Sequence, residues 1–222
     1  RVRAALDLDA DPRAINALLH HSFPLGDGLR VPGALDGFEL AVRAVLGQQV
    51  SVAAARTLTQ RLVQRLGDPV QTPWAELNRL FPTPAAIAAL RDDASDVLGA
   101  LGIVKQRQHA ILALARAVAS GSLALNPGSN LQTTLAALTQ LSGIGDWTAQ
   151  YIAMRALRWP DAFPAGDVAL QKAMGLRHER HPSQAALDAS QRWRPWRSYA
   201  VVRAWSAGAA QLHPPKPAGN SP

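Results

Sequence analysis

The segment Leu141-Ser142-Gly143-Ile144-Gly145-Asp146-Trp147-Thr148 carries the pattern with the most chemical content. Two glycines separated by one apolar residue let a tight turn take positive φ, expected at Gly145, and let the backbone come close to another surface. The helical pattern that follows begins with N–H groups that nothing in its own helix accepts. Donors at a helix N-terminus hold phosphate without any side chain. Gly143, Ile144, Gly145 and Thr148 are therefore candidate phosphate-binding residues. The same segment also reads as a plain corner between two helices, with glycine there for packing.

Other groups offer less. His178-Glu179-Arg180-His181 has histidines at i, i+3, but Pro182 follows and no third ligand lies in sequence reach, so no metal is expected there. His20 and His21 read as a solvated helix end. Arg192, Arg194 and Arg197 read either as phosphate clamps or as solvated side chains. There are no cysteines among the 222 residues, which excludes disulfides, thiolate zinc sites and cysteine nucleophiles.

The elements that must position these residues are helical throughout. Asp11-Pro12 is an N-cap with proline at the first helical position, and Asp36 with Glu39 is an acidic capping box. Ser51 opens an amphipathic run through Leu58, Leu62 and Leu66 that Gly67 closes, and Thr83-Pro84 opens a short helix. Further helical patterns cover 103–119, 131–141, 147–157, 168–174, 184–193 and 195–212, while alternating strand patterns are nearly absent. These signals predict an all-α fold of about ten helices.

With 48% hydrophobic and 18% charged residues the chain can bury a core, and no stretch offers the roughly 20 apolar residues that span a bilayer. A soluble protein with no membrane partner is expected. The net charge is +7, and from Gly145 onward ten Lys/Arg stand against five Asp/Glu. Such an excess points to a polyanion partner, nucleic acid first. The first residue is Arg and not Met, so a piece of a longer protein is expected.

Four ordered segments carry a resemblance. Leu141 to Gly145, followed about twenty residues later by Phe163-Pro164-Ala165-Gly166-Asp167, resembles the helix-hairpin-helix DNA glycosylase superfamily with its Gly/Pro-rich loop and aspartate. The segments 41–52, Phe81-Pro82-Thr83-Pro84 and 193–200 are similar to its bacterial DNA-3-methyladenine glycosylase II members. The resemblance implies a two-lobed fold. One lobe would span 37–158 and carry the hairpin within 130–158. The other would combine 1–36 with 159–213, leaving a disordered tail at 214–222. The small α+β domain that precedes this region in such enzymes has no recognised counterpart.

The resemblance makes Asp167 the catalytic residue, and the chemistry agrees. Cleaving an N-glycosidic bond builds positive charge on the sugar, which a fixed carboxylate stabilises. Asp167 also reads as the N-cap of the following helix, and both roles can coexist. Trp147 stands where strand-cutting relatives carry a Lys nucleophile, and indole forms no Schiff base. The implied enzyme is therefore a monofunctional glycosylase without lyase activity.

Trp147, Tyr151 and Trp205 correspond to base-pocket aromatics, although core packing explains any single one as well. Gln48 corresponds to a pocket residue. Gln49 falls where the compared enzyme places a leucine wedge against the space left by the extruded base, a departure that trades stacking for hydrogen bonding. Both glutamines alternatively cap the helix ending near Gly47. No cofactor is required, but the resemblance implies a structural Na+ or K+ held by the backbone of Thr139, Leu141 and Ile144.

The implied activity is release of alkylated purines such as 3-methyladenine from duplex DNA by a monomer, in the cytoplasm of a bacterium on its nucleoid. The alternatives are a non-catalytic helix-hairpin-helix DNA-binding module and a glycosylase for deaminated or mismatched bases.

Overall fold

The computed structural model describes residues 2–90 and 94–212, with side chains described to residue 208. Among them are twelve α-helices: α1 Val2–Ala5, α2 Pro12–Leu19, α3 Gly37–Leu46, α4 Val52–Leu66, α5 Pro84–Ala88, α6 Ala94–Ala100, α7 Lys105–Ala119, α8 Leu131–Gln140, α9 Asp146–Arg155, α10 Val168–Ala173, α11 Pro182–Ala189 and α12 Arg197–Leu212. The only extended pairing among the described residues is an isolated bridge between Pro69 and Arg79. The fold is all-α, with two helices more than the sequence pattern suggests. The expected tail at 214–222 lies outside the described residues. No helix among those described is long and apolar enough to cross a membrane.

The chain forms two compact units, one from 34–158 and one from 1–33 with 159–222. In the first, α3 is the central element. Its Phe38, Ala41, Val42, Val45 and Leu46 are buried in one cluster with Ile111, Leu114 and Ala115 of α7 and Ala149 and Ile152 of α9. Burying each of the larger of these side chains, from Val to Phe, contributes about 1.5–3 kcal/mol. Gly37 lets α3 start against the chain at Leu125, where a β-carbon would stand 1.9 Å from the Leu125 carbonyl oxygen.

Capping fixes where these helices begin. Asp36 accepts from Glu39 N at 2.7 Å, Ser51 from Ala54 N at 3.2 Å, Thr83 from Ala86 N at 3.1 Å and Asn130 from Thr133 N at 3.0 Å. Each bond satisfies an amide that the helix itself leaves without an acceptor.

The second unit packs α12 against the segments 159–167 and 15–31. Ile15 and Leu19 of α2, Phe163, Trp193 and Tyr199 are buried in it. Several of its buried polar groups are paired, while Arg203 Nε is buried without a hydrogen-bond partner. Tyr199 Oη donates to Asp7 Oδ2 at 2.8 Å and Trp193 Nε1 to Ser22 Oγ at 3.1 Å. Arg203, 2% exposed, donates to Asp27 at 3.2 Å and to Asn16, and burial pushes its guanidinium below the usual arginine range while Asp27 opposes that shift.

Arg197 settles the open choice between phosphate clamp and solvated side chain by being neither. It is 4% exposed and grips Asp161 through Nε–Oδ1 at 2.7 Å and Nη2–Oδ2 at 2.9 Å, with Arg194 Nη1 adding 2.7 Å. Removing one member of a buried pair strands the other charge, at a cost of about 3–5 kcal/mol. Arg197→Met is expected to lower the urea unfolding free energy by about 3 kcal/mol, and a loss under about 0.5 kcal/mol would place the pair with exposed ones.

Candidate active site

The first unit carries the hairpin between α8 and α9. Ile144 donates its N–H to Leu141 O at 3.0 Å, which closes the turn, and its side chain is 3% exposed. That apolar anchor leaves only the backbone of Ile144 for contacts outside the unit. Gly143 has φ +84°, and a β-carbon there would lie 2.9 Å from Ala110 Cβ. Glycine is required at this position on both counts.

Gly145 corrects an expectation. Its φ is −86° with ψ 177°, ordinary extended backbone, and a β-carbon there would meet nothing within 4 Å. The left-handed residue of the turn is Gly143. Gly145 is instead the N-cap of α9 and supplies no side-chain acceptor. The first N–H groups of that helix therefore have no side chain capping them, the arrangement that receives an anion.

Thr148 is 2% exposed, and its Oγ1 accepts from Gln48 Nε2 at 3.0 Å. Only its backbone N–H, in the first turn of α9, fits the phosphate role. Gln48 Nε2 donates a second bond to Gly143 O at 3.0 Å, so the amide braces the hairpin from the end of α3. Arg107 of α7 donates to Gln48 O. The C-cap of α3 is Gly47, and Gln48 serves that helix end only through its backbone N–H, which donates to Val45 O at 3.2 Å. Gln49 is exposed and holds φ +53°, a conformation that costs a side-chain-bearing residue about 1–2 kcal/mol.

Trp147 and Tyr151 lie one helical turn apart on α9 and stack with centroids 5.4 Å apart and planes 8° from parallel. Arg155, a further turn on, donates to Tyr151 Oη at 3.0 Å with its guanidinium carbon 5.5 Å from the ring centroid. The three form a ladder along one face, partly exposed throughout. The sequence reading missed Arg155, although its i, i+4 spacing from Tyr151 was visible.

The second unit carries Asp167. Its loop is stiffened by Asp167 N donating to Pro164 O at 2.9 Å and by the buried Gln171 Nε2 donating to Ala165 O at 2.8 Å. Asp167 is the N-cap of α10, and its Oδ1 accepts from Leu170 N at 2.7 Å and from Trp205 Nε1 of α12 at 3.0 Å. The sequence predicts Trp205 as a pocket wall, and its bond to Asp167 lies outside that expectation. The structure thus sorts the sites into two groups, with Gln48, Gln49, Trp147, Tyr151 and the hairpin in one unit and Asp167 and Trp205 in the other. His178 and His181 are both exposed. Among the described residues no cluster of three or more His, Asp or Glu could hold a metal ion.

Residues 42–197 match the family model described as HhH-GPD superfamily base excision DNA repair protein. Residues 1–36 match the model described as AlkA N-terminal domain, a match the sequence reading does not make. The chain is 42% identical over 215 residues to a Mycobacterium tuberculosis protein named probable bifunctional transcriptional activator/DNA repair enzyme AlkA, covering 93% of this chain and 42% of that one. It therefore spans less than half of that relative's length. It is 37% identical over 200 residues to DNA-3-methyladenine glycosylase 2 of Escherichia coli, covering 90% of this chain and 67% of that one. The fold superposes on the 3-methyladenine DNA-glycosylase from Archaeoglobus fulgidus with a TM-score of 0.73 at 20% identity, covering 93% and 72% of the two chains. With the family model matching 42–197, most of the sequence and parts of both units, the chain belongs to the HhH-GPD superfamily of base excision DNA repair proteins.

Proposed function

We propose that this protein is a monofunctional DNA glycosylase that hydrolyses the N-glycosidic bond of alkylated purines, 3-methyladenine among them, in duplex DNA. The observation that carries the proposal is the Asp167 carboxylate, held by two N–H donors from different helices. As the bond to the base breaks, positive charge grows on the sugar, and a fixed anion stabilises that state more than the ground state. Asp167 also orients the attacking water. An alkylated purine leaves readily because it already carries positive charge, so one carboxylate suffices where ordinary glycosidases use two.

The remaining residues serve delivery of the base. The uncapped amides of α9 after Gly145 anchor a phosphate. Gln49, projecting from its left-handed turn, enters the duplex as the base leaves the stack. Trp147 offers a ring face to the cationic base. The same family implies an alkali cation at the hairpin. Thr139 lies in the last turn of α8, where carbonyls lack intrahelical partners, so the backbone oxygens of Thr139, Leu141 and Ile144 suit a hard monovalent ion that would fasten the turn. The working form is a monomer acting on the chromosome in the cytoplasm.

The test is base release from duplex DNA treated with a methylating agent, with the product identified by chromatography. Free 3-methyladenine is expected. Release of hypoxanthine alone would shift the substrate to deaminated bases, and tight duplex binding with no release from any lesion would make the protein a binding module. A second experiment addresses the lyase reaction. Incubation with borohydride and damaged DNA is expected to leave no covalent adduct, because Trp147 cannot form an imine. A borohydride-stable cross-link would remove the monofunctional assignment.

A further inference from the structure

Helix α12 meets the loop 159–167 at two places. At its start, Ser198 N donates to Pro160 O at 2.9 Å, and Ser198 Oγ to Trp159 O at 2.7 Å and Ala162 O at 3.2 Å. Beside it, Arg197 holds Asp161 through the buried ion pair. Seven residues later, Trp205 Nε1 donates to Asp167 Oδ1 at 3.0 Å. Seven residues are close to two full helical turns, so Ser198 and Trp205 share a face about 10 Å apart along the axis. One rigid helix therefore fixes both ends of the loop that carries the carboxylate.

We infer that Trp205 is a positioning residue for Asp167, its indole N–H holding Oδ1 from a second helix beside Leu170 N. The assignment rests on the catalytic role given to Asp167 above. The terminal torsion of an aspartate is broad, and Leu170 N and Trp205 Nε1 converge on the same oxygen, Oδ1, one from α10 and one from α12. Two donors on different elements limit the movement of that oxygen more than one does. Indole suits the task because it is a donor only and carries no charge. A lysine or arginine in its place would hold the oxygen equally well but cancel the negative charge that the transition state needs. Displacement of a reacting group by about 1 Å is enough to cost a hundredfold in rate, which sets the scale of what such a bond protects.

Trp205→Phe keeps an aromatic ring and deletes the donor. The single-turnover rate of base release is expected to fall about ten- to a hundredfold, the scale of a lost hydrogen bond to a charged group. The substrate concentration for half-maximal rate should change less than about twofold, since a uniform contact with the base is not what was removed. In the Asp167→Asn background the same substitution should have almost no further effect on rate. A loss that appears as weaker substrate binding, or that is equal in both backgrounds, would make Trp205 a pocket wall and overturn the inference.

A spectroscopic readout needs neither substrate nor a Trp205 variant. In the free protein, Asp167→Asn replaces a charged acceptor by a neutral one. One indole N–H proton resonance among those of the six tryptophans is expected to move upfield. Unmoved indole resonances would show that the bond does not form in solution. Because this measurement is independent of base release, it separates failure of the inference from failure of the proposed reaction.

Discussion

Replacing Asp167 with asparagine is expected to slow base release by at least about a hundredfold while leaving duplex affinity unchanged and the fold intact. The substitution isolates charge. Asn caps a helix as well as Asp does, so α10 keeps its start and Leu170 N keeps its acceptor. The side chain also still presents an oxygen to Trp205 Nε1. What disappears is the anion that faces the developing positive charge on the sugar, an interaction made only on the way to the transition state. Single-turnover release of 3-methyladenine measures the rate, filter or fluorescence binding measures affinity, and circular dichroism melting measures the fold. Near-normal release by Asp167→Asn would rule out the mechanism. A collapse in melting temperature would instead assign Asp167 a mainly structural role as the cap.

The two roles of Asp167 illustrate what the sequence could reveal. Capping is local, and its signals were readable wherever a short polar side chain precedes a helical pattern: Asp11 accepting from Arg13 N at 2.9 Å, Asp36 from Glu39 N at 2.7 Å, and Ser51 and Asp167 likewise. Burial periodicity was readable for the same reason, since α3 and α7 each present one apolar face to a common core. The helix α6, with Gly99 near its end and few large side chains, gave too little periodicity to be recognised.

Long-range pairing was not readable. Gln48 meets Gly143 and Thr148 across 95 and 100 residues of chain, and nothing in the type or spacing of a glutamine announces such partners. The arginines near the C-terminus were ambiguous for a similar reason. Only folding reveals that Arg197 turns inward to Asp161 across 36 residues while Arg192 lies over Trp193 at 5.2 Å. In the hairpin, the sequence showed that backbone freedom was needed but not which glycine used it. Either glycine can take positive φ; in the fold Gly143 takes it, and Ala110 on α7 separately leaves no room for a β-carbon there.

That distinction turns one hairpin experiment into two with different outcomes. Gly143→Ala must force a methyl group to 2.9 Å from Ala110 Cβ at φ +84°, so the turn has to shift. The expected result is a destabilisation of about 1–3 kcal/mol, with affinity for damaged and undamaged duplex falling together.

Gly145→Ala is the more informative change because nothing lies within 4 Å of its new β-carbon and φ is −86°. The fold should survive, with at most about 1 kcal/mol lost for an unfavourable N-cap. The methyl group nevertheless stands beside the N–H groups that a phosphate must reach. Duplex affinity is expected to fall about tenfold, equivalent to about 1.4 kcal/mol. Such a contact carries no base information, so the ratio of damaged to undamaged binding should hold, whereas changes at Trp147 should weaken the damaged duplex selectively. Salt titration adds a signature. Removing a cationic side chain from a phosphate lowers the slope of log affinity against log salt by about one, because a counterion is no longer released. A backbone amide is neutral, so Gly145→Ala should shift that line downward without changing its slope. A folded Gly145→Ala variant that binds undamaged duplex as tightly as the parent would make the hairpin a corner in the chain and nothing more.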